Sequence, residues 1–194
     1  MSERAFSLLG EGEEQKAVDV LVTAFVADPV IRWMYPDASG YLTRFPAFLR
    51  AFGGKAFTSR TVWRFGDFEA VALWFPPHVG PDGDAVNAEV KRGVAADQQV
   101  DLFAVLEQMD ASHPTFPHWY LPWFGVEGAR QGKGVGSELM RNCLAVVDQD
   151  HVPAYLESPN PPNIPFYERH GFEVTGFSQA GACPPVYSML RPPR

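Results

Sequence analysis

Apolar positions recur with two different periods along this chain, and each change of period marks a change of element. In "EEQKAVDVLVTAFVADP", Ala17, Val20, Leu21, Ala24 and Phe25 fall at helical spacing. That predicts an amphipathic helix ending at Pro29. "SGYLTRFPAFLRAFGG" predicts a second helix, with Ser39 as its cap, Gly53–Gly54 as its terminator and Pro46 near enough to the first turn to be tolerated. "TVWRFGDFEAVALWFPP" switches to β-branched and aromatic residues on both sides of Gly66–Asp67, the pattern of a strand hairpin.

From Asp82 to Asp110 the helical period returns, with a break between Gly93 and Asp97. "HWYLPWFGVEG" reads as a strand in which Pro122 marks an irregularity. In "GVGSELMRNCLAVVDQD", Val135, Leu139, Cys143, Val146 and Val147 share one face of a helix that starts at the glycines. "PAYLES" is a short strand, "NIPFYERHG" a short helix closed by Gly171, and "FEVTGF" and "PPVYSMLR" are two final strands. The order α, α, β-hairpin, helices, β, α, β, α, β, β predicts a mixed α/β layer fold. No repeat or low-complexity linker divides the chain, so residues 1–194 are read as one domain.

Composition narrows the function classes. A net charge of −7 disfavours nucleic acid, whose phosphates need a basic face, and would help attract a cationic small molecule. Only Cys143 and Cys183 occur, without metal-ligand spacing around either, so reduced thiols and no metal are expected. The start "MSERAFSLLGEGEEQ" lacks the pattern of a secretory leader, and no apolar run approaches the roughly 20 residues that span a bilayer. The expectation is a cytoplasmic protein with no membrane partner.

The chemistry is concentrated in "VEGARQGKGVGSEL", where four glycines and two basic residues precede a helix. A P-loop fails here twice: Lys133 is followed by Gly134 rather than Ser or Thr, and Glu127 occupies the first glycine position. A dinucleotide fingerprint starts well at Gly132 and Gly134 but meets Ser137 instead of a third glycine, although Glu157 lies roughly 20 residues on. The pattern Q/R-x-x-G-x-G/A is satisfied throughout by Gln131, Gly134 and Gly136, after a strand ending at Val126 and before an amphipathic helix. Glycines let backbone N–H groups wrap a pyrophosphate at the positive end of that helix.

With "FYERHGF" downstream, these residues resemble the GNAT superfamily of acyl-CoA-dependent N-acetyltransferases. The resemblance runs from "HWYLPWFGVEGARQGKGVGSELM" through "AYLESPNPPNIPFYERHGFEVTGF" and is nearest to the branch containing puromycin N-acetyltransferase. Pro162 departs from that branch, which commonly has Arg there. The resemblance implies a central, mostly antiparallel sheet with a splayed parallel strand pair, flanked by helices. It implies acetyl-CoA held by Phe124, Gly125, Val126, Gln131, Gly132, Lys133, Gly134, Val135, Gly136, Ser137, Asn163, Phe166 and Tyr167. Arg130 is a second candidate beside Lys133 for charge near the phosphates, and Asn163 either holds the cofactor's amide arm or caps the short helix.

Acetyl transfer to an amine needs a base for the ammonium, a donor for the thioester oxygen and an acid for the departing thiolate. The resemblance implies Tyr167 as the acid and the Val126 N–H or a neighbour as the donor, and Glu157, ending "AYLES" beside the splay, is the candidate base; Tyr167 has an alternative reading as a packed aromatic and Glu157 as a solvated strand-end carboxylate. Cys143 falls on the buried helix face, which favours direct transfer in a ternary complex over an acyl-cysteine. His118 reads as packing or rim, and His170 as a group favoured by the end of the short helix. Phe25, Asp28, Trp33, Tyr35, Trp74 and Trp119 are candidates for an acceptor pocket suited to a hydrophobic or aromatic amine, and each aromatic has an alternative reading as core. Acetylation of a protein N-terminus or lysine, a non-catalytic CoA-binding sensor, and a dinucleotide oxidoreductase resting on the glycines alone stay open. A homodimer is compatible with the resemblance.

Overall fold

The structure is a computed structural model and describes residues 5–194. Its centre is a seven-stranded sheet in the order β1-β2-β3-β4-β5-β7-β6. The strands are β1 (Phe6–Leu8), β2 (Val62–Phe65), β3 (Ala70–Phe75), β4 (Trp119–Val126), β5 (Ala154–Ser158), β6 (Glu173–Ser178) and β7 (Val186–Arg191). All neighbours pair antiparallel except β4 and β5, which are parallel. The parallel pair needs a crossover, and the helix α7 (Val135–Val147) supplies it.

Helices cover both faces. α1 (Glu14–Ala24), α2 (Pro29–Met34), α3 (Ala38–Gly53), α4 (Lys55–Thr58), α5 (Gly83–Gly93) and α6 (Ala96–Ser112) precede α7 in the chain, and α8 (Ile164–Glu168) follows β5. One core cluster joins α1, α2, α3, α5 and α6 to the sheet through residues such as Leu21, Phe45, Val90 and Leu102. The other places Val135, Leu139, Cys143 and Val147 of α7 and Tyr167 of α8 against Trp63, Trp74 and Leu121. The hairpin falls where the sequence puts it, with residues 66–69 turning between β2 and β3, and the α5–α6 break falls at Val94–Ala95.

Several local expectations are corrected. The first helix ends at Ala24, well before Pro29, and Pro29 instead begins α2, whose cap is Asp28 accepting from the Ile31 N–H. Proline suits a first helical position because that N–H has no intrahelical acceptor anyway. The cap of α3 is Asp37, accepting from the Gly40 N–H at 2.7 Å, so Ser39 lies inside the helix. Pro46 therefore sits in the middle of α3 and not near its first turn, and the helix continues past it on the strength of the buried stripe Tyr41, Phe45, Phe48, Leu49 and Gly53. Strand β1 and the short helix α4 escape sequence reading because three or four residues hold too little of either period.

Two departures from regular pairing shape the centre of the sheet. Leu73 pairs with Trp123 but Phe75 pairs with Tyr120, so Trp74 faces both Leu121 and Pro122 across a bulge. That is the irregularity expected at Pro122. The β4–β5 pairing runs from Trp119↔Ala154 to Leu121↔Leu156 and stops, while β4 stays with β3 to Val126 and β5 stays with β7 to Ser158. The parallel pair thus splays apart beyond Leu121. Pro122, with no N–H, stands at the point of divergence.

Candidate active site

The splay opens one edge of β4. Glu127 N–H donates to the carbonyl of Glu69, in the turn that leads into β3. Alternation along the strand then turns the Trp123 and Gly125 N–H groups to β3 and those of Phe124 and Val126 to the edge that β5 has left. The Val126 carbonyl on that edge accepts a hydrogen bond from Gln131 Nε2 at 3.1 Å. Gly125 is required for a separate reason: a Cβ there would come within 2.8 Å of the Ala24 Cβ and 2.9 Å of Leu21 Cδ2, because α1 lies directly against β4.

From Val126 the chain passes through a 3-10 turn at Gly128–Arg130 and enters α7. Gly132 and Gly134 have φ of +70° and +80°, the left-handed region that glycine enters at least cost. Gly134 is the N-cap and no side chain caps the helix. The first-turn N–H groups of α7 lack intrahelical acceptors, and the positive dipole end adds to them. A cleft of ≈590 Å³ meets this helix end. It is lined by Phe124, Gly125, Val126, Gln131, Gly132, Gly134, Gly136, Ser137, Asn163, Phe166 and Tyr167, with Arg130, Asn160 and Arg169 at its walls. An uncapped glycine-rich helix start facing a cleft with basic walls fits the pyrophosphate of acetyl-CoA.

Lys133 and Val135 are placed elsewhere. Lys133 Nζ turns back to the Ala129 carbonyl at 2.8 Å, beside a separate depression under Phe6 and Phe65, and Val135 is buried beneath α7. Asn163 makes no capping hydrogen bond to α8, so its amide is left to the cleft. Arg130 is tied to Glu69 at 3.2 Å, whereas Arg169, to which the sequence offered no pointer beyond its place after "FYE", lines the cleft directly.

Behind the cleft lies an apolar chamber of ≈100 Å³ between α2, α3, α6 and the splayed strands. Phe25, Asp28, Phe124, Asn163 and Tyr167 border both spaces. Phe48, Phe52, Trp123, Met34 and Met109 form much of its wall, and the only charged side chains lining it, among the described residues, are Asp28 and Glu157. Asp28 is nearly buried, and that burial raises its carboxyl to about 6 against the opposing hydrogen bonds from the Ile31 and Val30 N–H groups. Burial, and then the neighbouring Asp28 charge, push the Tyr167 phenol well above its usual value. Burial likewise pushes the Cys143 thiol up, which keeps it protonated.

Glu157 sits where β5 leaves β4. Its Oε2 accepts from the Tyr120 hydroxyl at 2.6 Å and its Oε1 from the Tyr155 hydroxyl at 3.0 Å. On its other side lies a recess of ≈700 Å³ that also reaches His78, Glu107, Asp110, His113 and His118. His118, read as packing or rim from the sequence, lines this recess with its ring tilted against that of His113, a residue sequence reasoning did not single out. His170 is pushed down by burial first and then by the charges of Arg141, Arg169 and Arg191, so the expected favour from the helix end does not prevail.

Four of the expected acceptor residues are not in this chamber. Trp74 is fully buried on the α7 face, and Trp119 on that same face donates its indole N–H to Asp150 at 2.8 Å. Tyr35 is buried in the core beneath α3 and α5, and Trp33 packs at its edge, its carbonyl accepting from Gln98. Only Phe25 and Asp28 of that set line the chamber. Strand alternation decides which face an aromatic occupies, and with a bulge in the strand the sequence alone does not show it. Among the described residues there is no cluster able to hold a metal ion and no helix long and apolar enough to cross a membrane.

Comparison with known proteins agrees with this fold. Residues 101–172 match the model of the acetyltransferase (GNAT) family. An uncharacterized N-acetyltransferase of Schizosaccharomyces pombe is 43% identical over 54 residues, 28% of this chain and 22% of that protein, so the match spans about a fifth of the relative's length. The crystal structure of a histone acetyltransferase HPA2 and related acetyltransferase from Corynebacterium glutamicum superposes with a TM-score of 0.71 and 26% identity, covering 100% of this chain and 98% of that one. Arylalkylamine N-acetyltransferase 2 from Aedes aegypti shares the fold with a TM-score of 0.67 at 12% identity, covering 99% and 100%.

Proposed function

The chain belongs to the GNAT superfamily, and on that premise we propose that it transfers an acetyl group from acetyl-CoA to the primary amine of a small molecule with an apolar or aromatic body. One observation carries the substrate reading: the chamber behind the cofactor cleft is walled by aromatic and aliphatic side chains and charged only by two carboxylates. A cation with a hydrophobic body matches such a wall, through ion pairing at one end and cation–π or apolar contact along the rest. The arylalkylamine enzyme of similar fold is in keeping with this class, as is the puromycin-like branch suggested by "YLES" and "NIPFYERHGF". All of residues 1–194 act as one domain in this reading, in the cytoplasm, where the two free, buried cysteines stay reduced.

Gln131, Gly132, Gly134, Gly136 and Ser137 would hold the pyrophosphate, and Asn163 and Phe166 the arm that leads inward. Bound acetyl-CoA supplies the acetyl thioester and, after transfer, a thiolate. Glu157, fixed in place by two tyrosine hydroxyls, takes the proton of the acceptor ammonium. The open-edge N–H of Val126 or Phe124 donates to the thioester oxygen. Tyr167, whose phenol burial keeps protonated, gives its proton to the leaving sulfur.

The test is thiol release from acetyl-CoA with a panel of arylalkylamines, aminonucleosides, short diamines and a lysine-bearing peptide. Arylalkylamines or aminonucleosides should be turned over best. Release with the peptide alone would replace the small-molecule reading, and failure of acetyl-CoA to raise the Tm would remove the cofactor assignment. A ligand at about 100 times its Kd stabilises the fold by about 2.7 kcal/mol, so that shift is measurable. Tyr167→Phe should lower kcat by about a hundredfold with little change in acetyl-CoA affinity. Unchanged kcat would remove Tyr167 as the acid.

A further inference from the structure

The proton that Glu157 takes has to leave, and although Glu157 and His113 both border the open recess, the Glu157 side chain is only 5% exposed, whereas that of His113 is 28% exposed. His113 ends up there because α6 stops at Ser112, and its ring lies edge-on to Tyr120 and Tyr155, the two residues that hold Glu157. His113 Nδ1 is 4.0 Å from Glu157 Oε1. Its other nitrogen, Nε2, is 3.0 Å from His118 Nε2.

The hydrogen-bond partners determine where the ring protons sit. His118 Nδ1 is 2.8 Å from the Phe116 carbonyl, which can only accept, so His118 carries its proton on Nδ1. His118 Nε2 is then a lone pair, and it accepts from His113 Nε2–H. His113 Nδ1 is therefore left without a proton, facing the carboxylate across a gap that one water or a small ring rotation closes. Burial, the largest influence on His118, holds its ring to the neutral form that this arrangement needs.

We propose that His113 is a proton carrier for Glu157, taking from it the proton that the acceptor ammonium releases and passing it to water in the recess, with His118 as the positioning residue that sets the His113 tautomer. The proposal rests on the acetyltransferase reading above. In the step an ammonium N–H breaks and a Glu157 O–H forms; that O–H then breaks as His113 Nδ1–H forms, giving an imidazolium beside the restored carboxylate. The imidazolium returns to neutral by losing Nδ1–H to water, and no electrons are gained or lost. The groups facing His113 are Glu157 and Tyr155 from β5, Tyr120 from β4 and His118 from the segment before it, with His78, Glu107 and Asp110 lining the same recess.

Two measurements test it on the full chain. Long-range proton–nitrogen NMR of ring-labelled histidines should show Nε2–H on His113 and Nδ1–H on His118 at pH 8, and Nδ1–H on His113 would overturn the proposal. In turnover, His113→Gln should lower kcat at least about tenfold at pH 8 and progressively less toward low pH, where a ring that already holds the proton cannot accept another, with KM for acetyl-CoA unchanged and activity of His113→Ala partly restored by added imidazole. His118→Ala should lower kcat less and give mixed His113 tautomers. If Glu157→Gln abolishes turnover while His113→Gln leaves the pH profile intact, the carrier is overturned and the base stands. If neither variant affects turnover, both roles fall. If no amine is acetylated by the wild-type chain, the function falls, and the ring tautomers still decide whether the proton path is built.

Discussion

Asp28 is held between two demands. It caps α2 through the Ile31 N–H, and it is nearly buried at the wall shared by the cleft at the start of α7 and the chamber. Burial is the larger effect and raises its carboxyl from 3.8 to about 6. A raised carboxyl favours the folded state fully below pH 3.8 and loses that contribution as pH rises through about 6, a change worth about 3 kcal/mol at neutrality. Asn also caps well, so Asp28→Asn should leave stability unchanged at pH 4 and raise it at pH 7.5 by up to about 3 kcal/mol, as read by urea unfolding at the two values. The same variant should raise KM for a cationic acceptor. A stability gain equal at both pH values would mean that the charge is not what the fold resists. Asp28 was visible in the sequence as an acidic candidate, but its strain was not, because desolvation depends on α2 and α8 closing over it.

At the scale of elements, the contact of α1 with β4 sets the line of the open edge. Gly125 permits it, and a Cβ there meets both Leu21 and Ala24 below 3.0 Å. Gly125→Ala should cost about 1–3 kcal/mol in chemical unfolding and lower acetyl-CoA affinity as α1 moves off the strand. A stability equal to wild type would show that α1 adjusts freely. Long periodic elements such as α1 and α7 were legible, since their apolar faces repeat over several turns. Caps were less so: Ser39 and Asp37 are both good capping residues two positions apart, and only the backbone decides between them. The fate of Pro46 was likewise undecidable, because tertiary burial along α3 outweighs the local loss of one helical hydrogen bond.

At the scale of the whole molecule, Arg191 at the end of β7 is buried and ties three regions together. Its Nη1 and Nη2 reach the Asp148 carboxylate at 2.5 and 2.8 Å just past α7, and its Nε donates to the His170 carbonyl after α8. Asp148→Ala leaves a buried guanidinium without its partner and should cost about 3 kcal/mol, whereas Arg191→Met, which removes the charge, should cost less. Equal losses from the two variants in urea unfolding would assign the effect to packing.

The amino-acid sequence by itself determined the alternation of elements, the glycine-rich entry into a helix at "RQGKGVG" and the GNAT resemblance, because each depends on residues close together in the chain. Glycine conformations, helical periods and turn chemistry are local physics. Only the tertiary structure decided which aromatics face the chamber, that Lys133 turns away from the cleft and Arg169 toward it, and that His113 comes to rest beside Glu157. Those outcomes depend on strand register, a bulge and the packing of helices distant in sequence, and burial and hydrogen-bond partners come into being only when these surfaces meet.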